Sequence, residues 1–409
     1  MFLLCVLLFL SPSASHISES AVSVIDVRDW GPNDSPIPLI GLCHFYNGQL
    51  LTPQECQKKQ GEIANFPELW KAGEDYATYS VMVLLPASHE NSMALALPQM
   101  YSSYRLWVNG NLVAENGTVG ETFEACKPQW LPQTVPINTL ADSLSIVLQI
   151  ANFHHAKGGI KEPIYLGTLS KMQVKRAVAT ISNLIETIVF FLLGSFFLFI
   201  FFKQANKKIA LYFALFCLTW SVRSIFSNLY LVISFFPGFD WDALLRIEYI
   251  TLYMTMIWAI LFISRLFNFE SNLFAKYIFI FCNLLFTVFT LFTSPRVFTQ
   301  WLNFYLMASA LLLLYAGFTV IRAWVNERVG SGLLTLSLIL GINIFAYDIF
   351  VYEGFSSYNP VIFSVGYMAI FGLMAWALAM QLSLIKSKPR LTTHLSYDDL
   401  YKKDDKPGY

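Results

Sequence analysis

The chain has 409 residues, of which 56% are hydrophobic, 16% aromatic and only 13% charged, and its formal net charge is zero. This composition is typical of a membrane protein and not of a soluble enzyme. Because the chain carries no excess of basic residues to neutralise phosphates, its charge argues against a nucleic-acid-binding protein.

Residues 1–15 are predicted to be an export signal. An apolar run from Phe2 to Leu10 precedes the small residues Ser13, Ala14 and Ser15, which suit a cleavage point. The alternative is an eighth membrane anchor. Nine apolar residues are too few to span a bilayer, which favours the signal.

Residues 20–170 are predicted to form an exported all-β jelly-roll sandwich. The short runs Ala77–Leu85 and Met93–Leu97 are closed by prolines, and Ser143–Ile150 alternates apolar and polar residues. Between them, Asn109-Gly110 joins two apolar runs, which is the strongest short signal for a β-hairpin. Several short strands with turns at this spacing are typical of a sandwich.

The cysteines do not have the spacing of metal ligands. The sequence leaves undecided whether Cys43 and Cys56 form a disulfide. Cys126 is the third cysteine of the exported region, so the count there is odd. We expect no metal and no cofactor.

Residues 180–384 are predicted to form a seven-helix transmembrane bundle. Seven apolar runs, each about as long as a membrane-spanning helix, follow one another with short polar breaks. The runs are Ile181–Phe202, Ile209–Phe235, Leu244–Phe267, Phe274–Phe292, Val297–Trp324, Leu333–Val351 and Val361–Leu384. Leu169–Ala179 leads into the first run without a long linker, so movement of the sandwich is expected to reach the bundle mechanically.

Charge predicts the orientation in the inner (plasma) membrane. An exported N-terminal domain places alternate breaks and the tail in the cytoplasm, and those breaks carry most of the basic residues, as the positive-inside rule requires. They are Lys203, Lys207, Lys208, Arg265, Lys276, Arg322, Arg328, Lys386, Lys388 and Arg390, whereas the opposite breaks offer only Arg296. Residues 385–409 mix both charges and are expected to be a disordered cytoplasmic tail.

Two motifs resemble a known family. Tyr104–Gly110 with Ala114–Gly117, and later Asn152–Ile160, are similar to segments of bacterial seven-transmembrane receptors with diverse intracellular signalling modules. The resemblance covers most of the chain and includes a galactose-binding-like N-terminal domain. It implies a sensor for carbohydrates or other small ligands with a cytoplasmic kinase or diguanylate cyclase as output. The short tail holds no such module, which implies a partner in trans or a truncated sequence.

The candidate ligand-binding residues are Tyr104, Trp107, Asn152, His154, His155 and Lys157. Histidine and lysine beside two glycines can donate hydrogen bonds to sugar hydroxyls or an anion, and the aromatic rings can stack on a sugar. The alternatives are a loop fixed by histidine-to-backbone bonds and aromatic residues that belong to the core. Adjacent histidines point to opposite sides of an extended chain, which disfavours one metal bound by both.

Charged residues inside the apolar runs are a second candidate site, because charge at that depth faces the bundle interior or a partner. They are Glu186, Arg223, Arg246, Glu248 and Asp348. Arg223 and Asp348 are predicted at similar depth and would meet if their helices were neighbours. Such a pair would either bias two bundle arrangements or act as a static clamp.

Absences narrow the function. All six histidines lie outside the seven runs, which argues against an intramembrane metal hydrolase, and the only lysine in a run, Lys276, is too near an edge for a retinal pigment. We therefore expect no enzyme but a receptor that binds a carbohydrate-like or small-molecule ligand and signals to a separate cytoplasmic kinase or cyclase. The alternatives are a transporter or its accessory subunit, and a membrane-anchored scaffold.

Overall fold

The computed structural model of the chain describes residues 23–70, 74–87, 92–203, 208–352, 355–356 and 359–387. All-β sheets occupy residues 24–168, and a helical region with seven apolar helices long enough to cross a membrane follows. The predicted fold class is thereby confirmed. The predicted signal peptide and the tail from residue 388 onward lie outside the described residues.

The N-terminal region is a sandwich of two main sheets. Its strands are β1 (Val24–Asp26), β2 (Ile37–Pro38), β3 (Gly41–Asn47), β4 (Glu62–Phe66), β5 (Tyr76–Leu84), β6 (Ser92–Leu97), β7 (Met100–Tyr101), β8 (Ser103–Val108), β9 (Asn111–Asn116), β10 (Gln133–Asn138), β11 (Ser143–Ala151), β12 (Gly159–Ile160) and β13 (Tyr165–Thr168). The larger sheet has the order β4-β3-β5-β11-β8-β9, with β1 parallel to β5, and the smaller has β10-β6-β13-β2. A third sheet pairs β12 with β7.

The alternating pattern of β11 defines the core of the sandwich. Leu144, Ile146, Leu148 and Ile150 all have no exposed surface and pack in one cluster with residues of the opposite sheet such as Leu95. Side chains of a strand alternate between its two faces, so this spacing directs all four inward. The strand predicted from the alternation is confirmed.

The predicted hairpin is also confirmed. Strands β8 and β9 are antiparallel neighbours, and the two residues between them, Asn109 and Gly110, have φ of 50° and 82°. A type I′ turn requires positive φ at both central residues, and asparagine and glycine are the residues that adopt it most readily.

The disulfide that the sequence left open does not form. Cys43 and Cys56 are both buried, free thiols, and they belong to different hydrophobic clusters of the sandwich. The Cys43 thiol lies 3.5 Å from the carbonyl oxygen of Ala64, and burial raises its pKa to about 12. A protonated, enclosed thiol of this kind is unreactive.

The helices are α1 (Pro53–Cys56), α2 (Leu169–Lys203), α3 (Lys208–Phe226), α4 (Leu231–Phe235), α5 (Trp241–Leu266), α6 (Leu273–Phe292), α7 (Pro295–Gln300), α8 (Leu302–Val325), α9 (Ser331–Tyr352) and α10 (Pro360–Ser387). The membrane-span candidates are α2, α3, α5, α6, α8, α9 and α10. Helix α3 packs between α2 and α5, α6 and α8 pack against α5, and α10 packs against α2 and α9.

Two predicted runs are not single helices. The run Ile209–Phe235 is divided into α3 and α4, because Asn228 and Tyr230 adopt positive φ of 60° and 48°, which a right-handed helix cannot contain. The run Val297–Trp324 is divided at Trp301 between α7 and α8. One continuous helix was wrong for both runs, because hydropathy reports apolar length and not backbone continuity.

Helix α2 connects the two halves without a linker. It begins at Leu169 directly after β13 ends at Thr168, twelve residues before the predicted run Ile181–Phe202, and it confirms that no long linker separates the two halves. Its 35 residues span about 50 Å, whereas the hydrocarbon of a bilayer is about 30 Å thick. The first turns therefore stand outside the membrane, where Lys171 donates to Asp34 O at 2.8 Å and Arg176 donates to Pro132 O at 2.6 Å.

Candidate functional site

A pocket opens in the sandwich beside strands β3, β4 and β5, and we call it the Trp70 pocket. Its volume is about 250 Å³ and it is lined by Leu42, Phe45, Glu62, Ile63, Ala64, Asn65, Glu68, Leu69, Trp70, Glu74 and Tyr79. This volume is close to the lower end of small-molecule sites. The pocket suits a ligand about as large as one sugar ring.

The lining combines aromatic surface with carboxylates. Trp70 Nε1 donates to the Tyr79 hydroxyl oxygen at 2.6 Å, and the Phe45 and Tyr79 ring centroids lie 5.0 Å apart. The hydrogen bond fixes the indole edge, so the pocket has a prearranged aromatic wall. Glu62 and Glu68 add carboxylate oxygens that accept hydrogen bonds from hydroxyl groups.

The segment 152–160, which we call the bridging loop, packs against Trp70, one of the residues that line this pocket. Gly158 and Gly159 pack on Trp70, and a Cβ atom at Gly158 would lie 2.6 Å from an indole carbon. Trp70 N donates to Gly158 O at 3.0 Å, and Gly159 has a φ of 84°. Both positions therefore need glycine, one for close approach and one for its backbone conformation.

Asn152 holds the bridging loop in a closed turn. Its Nδ2 donates to the carbonyl oxygens of His155 at 2.8 Å and Lys157 at 2.7 Å, while its Oδ1 accepts from His155 N at 3.0 Å. Asn152 is itself buried and anchored at the end of β11. These bonds connect the part of the loop that carries the histidines to the part that leads into its glycines.

The histidine end meets the helical region in a cluster of five rings that we call the aromatic interface: Tyr101, Trp130, His155, Tyr230 and Trp241. The ring of His155 stacks on Tyr101 with centroids 4.7 Å apart, and Trp130 lies 5.4 Å from Trp241 and 5.3 Å from Tyr230. Tyr101, Trp130 and His155 come from the sandwich, and Tyr230 and Trp241 from the helical region. Leu69, which lines the Trp70 pocket, packs against the same cluster.

Polar contacts tie the same surfaces together. Arg296 forms an ion pair with Asp75 at 3.1 Å and also lies 3.5 Å from Phe153 O. Ala156 N of the bridging loop donates to Thr299 Oγ1 of α7 at 3.1 Å. Asp75 is the neighbour of the pocket residue Glu74, so the pocket and the bridging loop both connect to α7.

His155 is buried in this interface in its neutral form. Its Nδ1 accepts a hydrogen bond from Lys157 N at 2.9 Å, so the ring proton sits on Nε2. Burial lowers the pKa of His155 to about 3, since desolvation disfavours the charged ring. The ring therefore serves as an aromatic surface at neutral pH.

Acidification is expected to destabilise the sandwich through His155. The unfolded state takes up a proton near the ordinary pKa of about 6.5, whereas the folded state resists protonation down to a pKa of about 3. The contribution of neutral His155 to the free energy of unfolding is fully present above the pKa of the unfolded state. Below that pKa the free energy of unfolding falls by roughly 1 kcal/mol per pH unit. Thermal unfolding from pH 7.5 to 5 should show a steeper decline for the native chain than for His155→Gln, and equal slopes would refute this role.

The other predicted ligand residues occupy packing positions. Tyr104 is 1% exposed in the sandwich core, and Trp107 packs beside Tyr46 and Val147 in a separate cluster. His154 Nε2 donates to Cys126 O at 3.0 Å, and the backbone of Lys157 closes the bridging loop. Ligand contact by these residues stays a prediction.

The intramembrane polar residues join helices in two groups. Glu186 of α2 accepts from Trp220 Nε1 of α3 at 3.0 Å and from Ser364 Oγ of α10 at 2.7 Å. Arg223 of α3 donates to Glu248 O of α5 at 2.7 Å. The Glu186 group therefore joins three helices around one buried carboxyl, which suits a structural clamp.

The pair predicted between Arg223 and Asp348 is not observed as an ion pair among the described residues. Helix α9, which carries Asp348, packs mainly against α8 and α10. The charges of Arg223 and Asp348 interact electrostatically across the bundle, but the two side chains do not form the predicted direct pair. Arg246, placed near the interface by the sequence, pairs with Asp242 at 2.8 Å.

One further polar contact crosses from the sandwich to the bundle. The Tyr230 hydroxyl lies 3.1 Å from Gln99 Oε1 of the sandwich and 3.4 Å from Glu248 Oε2 of α5. The same tyrosine belongs to the aromatic interface, so its ring and its hydroxyl both contact the sandwich.

Residues 181–386, half of the chain, match the family model described as 7TM diverse intracellular signalling. The chain belongs to this family. It is therefore a membrane receptor of the seven-helix class, and the resemblance noted in its sequence is confirmed. No curated protein matches this receptor.

Solved structures similar to the receptor include glycoside hydrolases. A glycosyl hydrolase family 2 member from Bacteroides cellulosilyticus is 14% identical with a TM-score of 0.27, covering 32% of this chain and 20% of its own. A β-glucuronidase from Ruminococcus gnavus is 14% identical with a TM-score of 0.25, covering 34% and 30%. A β-galacturonidase from Eisenbergiella tayi is 14% identical with a TM-score of 0.24, covering 35% and 26%. The receptor spans less than a third of the length of each.

Sequence reasoning missed the central residues of this receptor's site. Trp130 lies between Pro128 and Pro132 in a segment without strand pattern, and Trp70 follows a similarly irregular stretch. A tryptophan in such a segment cannot be buried by its own sheet, so another part of the chain or a ligand must cover it. A tryptophan in an irregular segment was therefore the available signal, although it does not show which part of the chain or which ligand covers the ring.

Proposed function

We propose that this receptor binds a carbohydrate-like small molecule in the Trp70 pocket and relays binding through the bridging loop to the seven helices. The observation that carries the proposal is that one loop contacts both sites. Its glycines pack on Trp70, which lines the pocket, and Ala156 N donates to Thr299 Oγ1 of α7. A ligand that moves Trp70 must therefore move or strain the contact with the bundle.

The chemistry of the pocket supports a ligand with one apolar face and several hydroxyl groups. Trp70 and Tyr79 supply an aromatic wall, and Glu62, Glu68 and Asn65 supply groups that bond to hydroxyls. A sugar ring has this combination of surfaces. We propose binding without turnover, so hydrolysis of a bound glycoside would contradict the proposal.

We further propose that the receptor signals to a separate cytoplasmic kinase or cyclase. The sandwich would lie outside the inner membrane, and the ends of the helices far from it would face the partner. Lys203, Arg322 and Arg328 lie at those far ends, in agreement with the positive-inside rule. Arg296, at the near end, is held by the sandwich residue Asp75.

The proposal predicts that Trp70→Ala weakens sugar binding at least about tenfold, because it removes the aromatic wall and the bond to Tyr79. The full chain in lipid nanodiscs would be titrated calorimetrically with glucose, galactose, glucosamine and N-acetylglucosamine. Trp107→Ala would be titrated in the same way, because the sequence predicted Trp107 as a ligand-binding residue. If none of the four sugars binds, or if Trp70→Ala binds as the native chain does, the pocket assignment fails.

The relay is tested separately by hydrogen exchange. Addition of the sugar that binds is expected to change amide protection in residues 152–160 and in α7 (Pro295–Gln300), which the pocket contacts through the bridging loop. Binding without any change in α7 would support a membrane-anchored scaffold instead. Uptake of the same sugar into vesicles would support a transporter.

A further inference from the structure

Helix α9 presents an exposed row of residues to the membrane. Leu336, Ile339, Asn343, Ala346 and Phe350 are all exposed, and they recur at alternating steps of three and four. Leu336, Ile339 and Phe350 are each about half exposed, at 47%, 51% and 48%. This is the a/d spacing with which two helices pack along a common seam.

A carboxamide lies in the middle of this row. Asn343 is twelve residues after the start of α9 at Ser331, about 18 Å along the helix axis, which is the centre of a bilayer. Its Nδ2 donates to Ile339 O at 2.7 Å, and among the described residues no donor reaches its Oδ1. Lipid chains offer no hydrogen bond, and the side chain is too short to reach the headgroups.

Two other asparagines in the membrane-spanning helices are buried and form hydrogen bonds to neighbouring helices. Asn183 is buried and donates to Ser224 O at 2.8 Å, and Asn283 is buried and accepts from the Tyr305 hydroxyl at 3.0 Å. Each is enclosed by the protein and forms a hydrogen bond to a neighbouring helix, although Asn183 Oδ1 has no partner among the described residues. Asn343 faces outward in a helix whose main partners, α8 and α10, cover its other sides.

We propose that a second copy of this chain packs on the exposed row of α9, with the two Asn343 side chains bonded to each other. Two copies inserted in the same direction bring identical residues to the same depth about a two-fold axis. A carboxamide has both donors and an acceptor, so it is complementary to itself. The apolar residues above and below supply the packing along the seam, and the asparagines set its register.

The dimer is tested on the full chain in liposomes, by energy transfer between donor- and acceptor-labelled copies at increasing lipid dilution. Asn343→Leu is expected to raise the dissociation constant of the dimer at least about tenfold, and Asn343→Gln to preserve most of the association. Asn303→Leu is the matched control, because Asn303 is exposed at the end of α8, where water reaches it. A monomeric native chain, or undiminished association of Asn343→Leu, overturns the proposal.

Cross-linking locates the seam independently of how stable each variant is. Ala346→Cys is expected to form an intermolecular disulfide on oxidation, in a background in which the partly exposed Cys282 is replaced by alanine. Val288→Cys on α6 is the matched control, since it is 51% exposed and lies as many residues after Leu273 as Ala346 lies after Ser331. Equal cross-linking at both positions would show random collision and refute the seam.

Discussion

Replacing Trp130 by alanine is expected to separate the sandwich from the helical bundle and to cost about 3–5 kcal/mol of stability. The indole is 2% exposed and its ring contacts Tyr101, His155, Tyr230 and Trp241. Among the described contacts, Trp130 touches all four other rings of the aromatic interface, and none of those four rings does the same. Truncation leaves a cavity between two parts of the protein, which are then held together by the short junction and by polar contacts such as Arg296–Asp75.

Hydrogen exchange is the decisive measurement for this variant, because loss of the interface should expose residues 152–160 and α4 (Leu231–Phe235) while the sandwich core stays protected. Trp107→Ala is the control of equal size. Trp107 packs within the sandwich against Tyr46 and Leu51, away from the helices. It should lower the melting temperature without raising exchange in α4. An equal rise in both variants would mean that Trp130 acts on general stability alone.

Local patterns explain why so much of the fold was predictable. The seven apolar helices, the alternating strand β11 and the turn at Asn109-Gly110 each depend on residues adjacent in sequence. In each case one physical requirement, such as bilayer thickness, two-fold alternation or positive φ, acts within a short window. Such requirements remain visible without knowledge of the rest of the chain.

The site was predictable only in part because it is assembled from distant segments. The segment Asn152–Ile160 was singled out from its histidines and glycines, but its role depends on Trp70 and Trp130, which no local pattern places beside it. Helix order was the second obstacle. Arg223 and Asp348 share a depth, yet depth does not determine which helices are neighbours.

At the end of the bundle far from the sandwich, Glu270 and Arg328 form a buried ion pair. Glu270 Oε1 lies 2.7 Å from Arg328 Nε, and the side chains are 2% and 18% exposed respectively. Asn326 also donates to Glu270 Oε1 at 3.3 Å, and Gln381 of α10 donates to Val329 O at 2.9 Å. The connections that follow α5 and α8 and the end of α10 are therefore fastened at one point.

Replacing Glu270 by alanine is expected to destabilise this end of the bundle by about 3–5 kcal/mol, because it leaves the Arg328 guanidinium enclosed without its carboxylate. Desolvation of an unpaired charge exceeds the small net value of most ion pairs, so the loss should be larger than for any exposed pair. Thermal unfolding in detergent and exchange at residues 326–331 would measure it. The double variant Glu270→Leu with Arg328→Leu should recover part of the loss.

The Arg105–Glu115 pair provides the control that separates a buried charge from charge in general. Its atoms are 3.8 Å apart and its side chains are 40% and 60% exposed, so Glu115→Gln should change stability by at most about 1 kcal/mol. If Glu270→Ala costs no more than Glu115→Gln, the far end of the bundle is not fastened by this pair. If instead the double variant is as unstable as the single one, the loss comes from missing packing and hydrogen bonds, and not from the unpaired guanidinium.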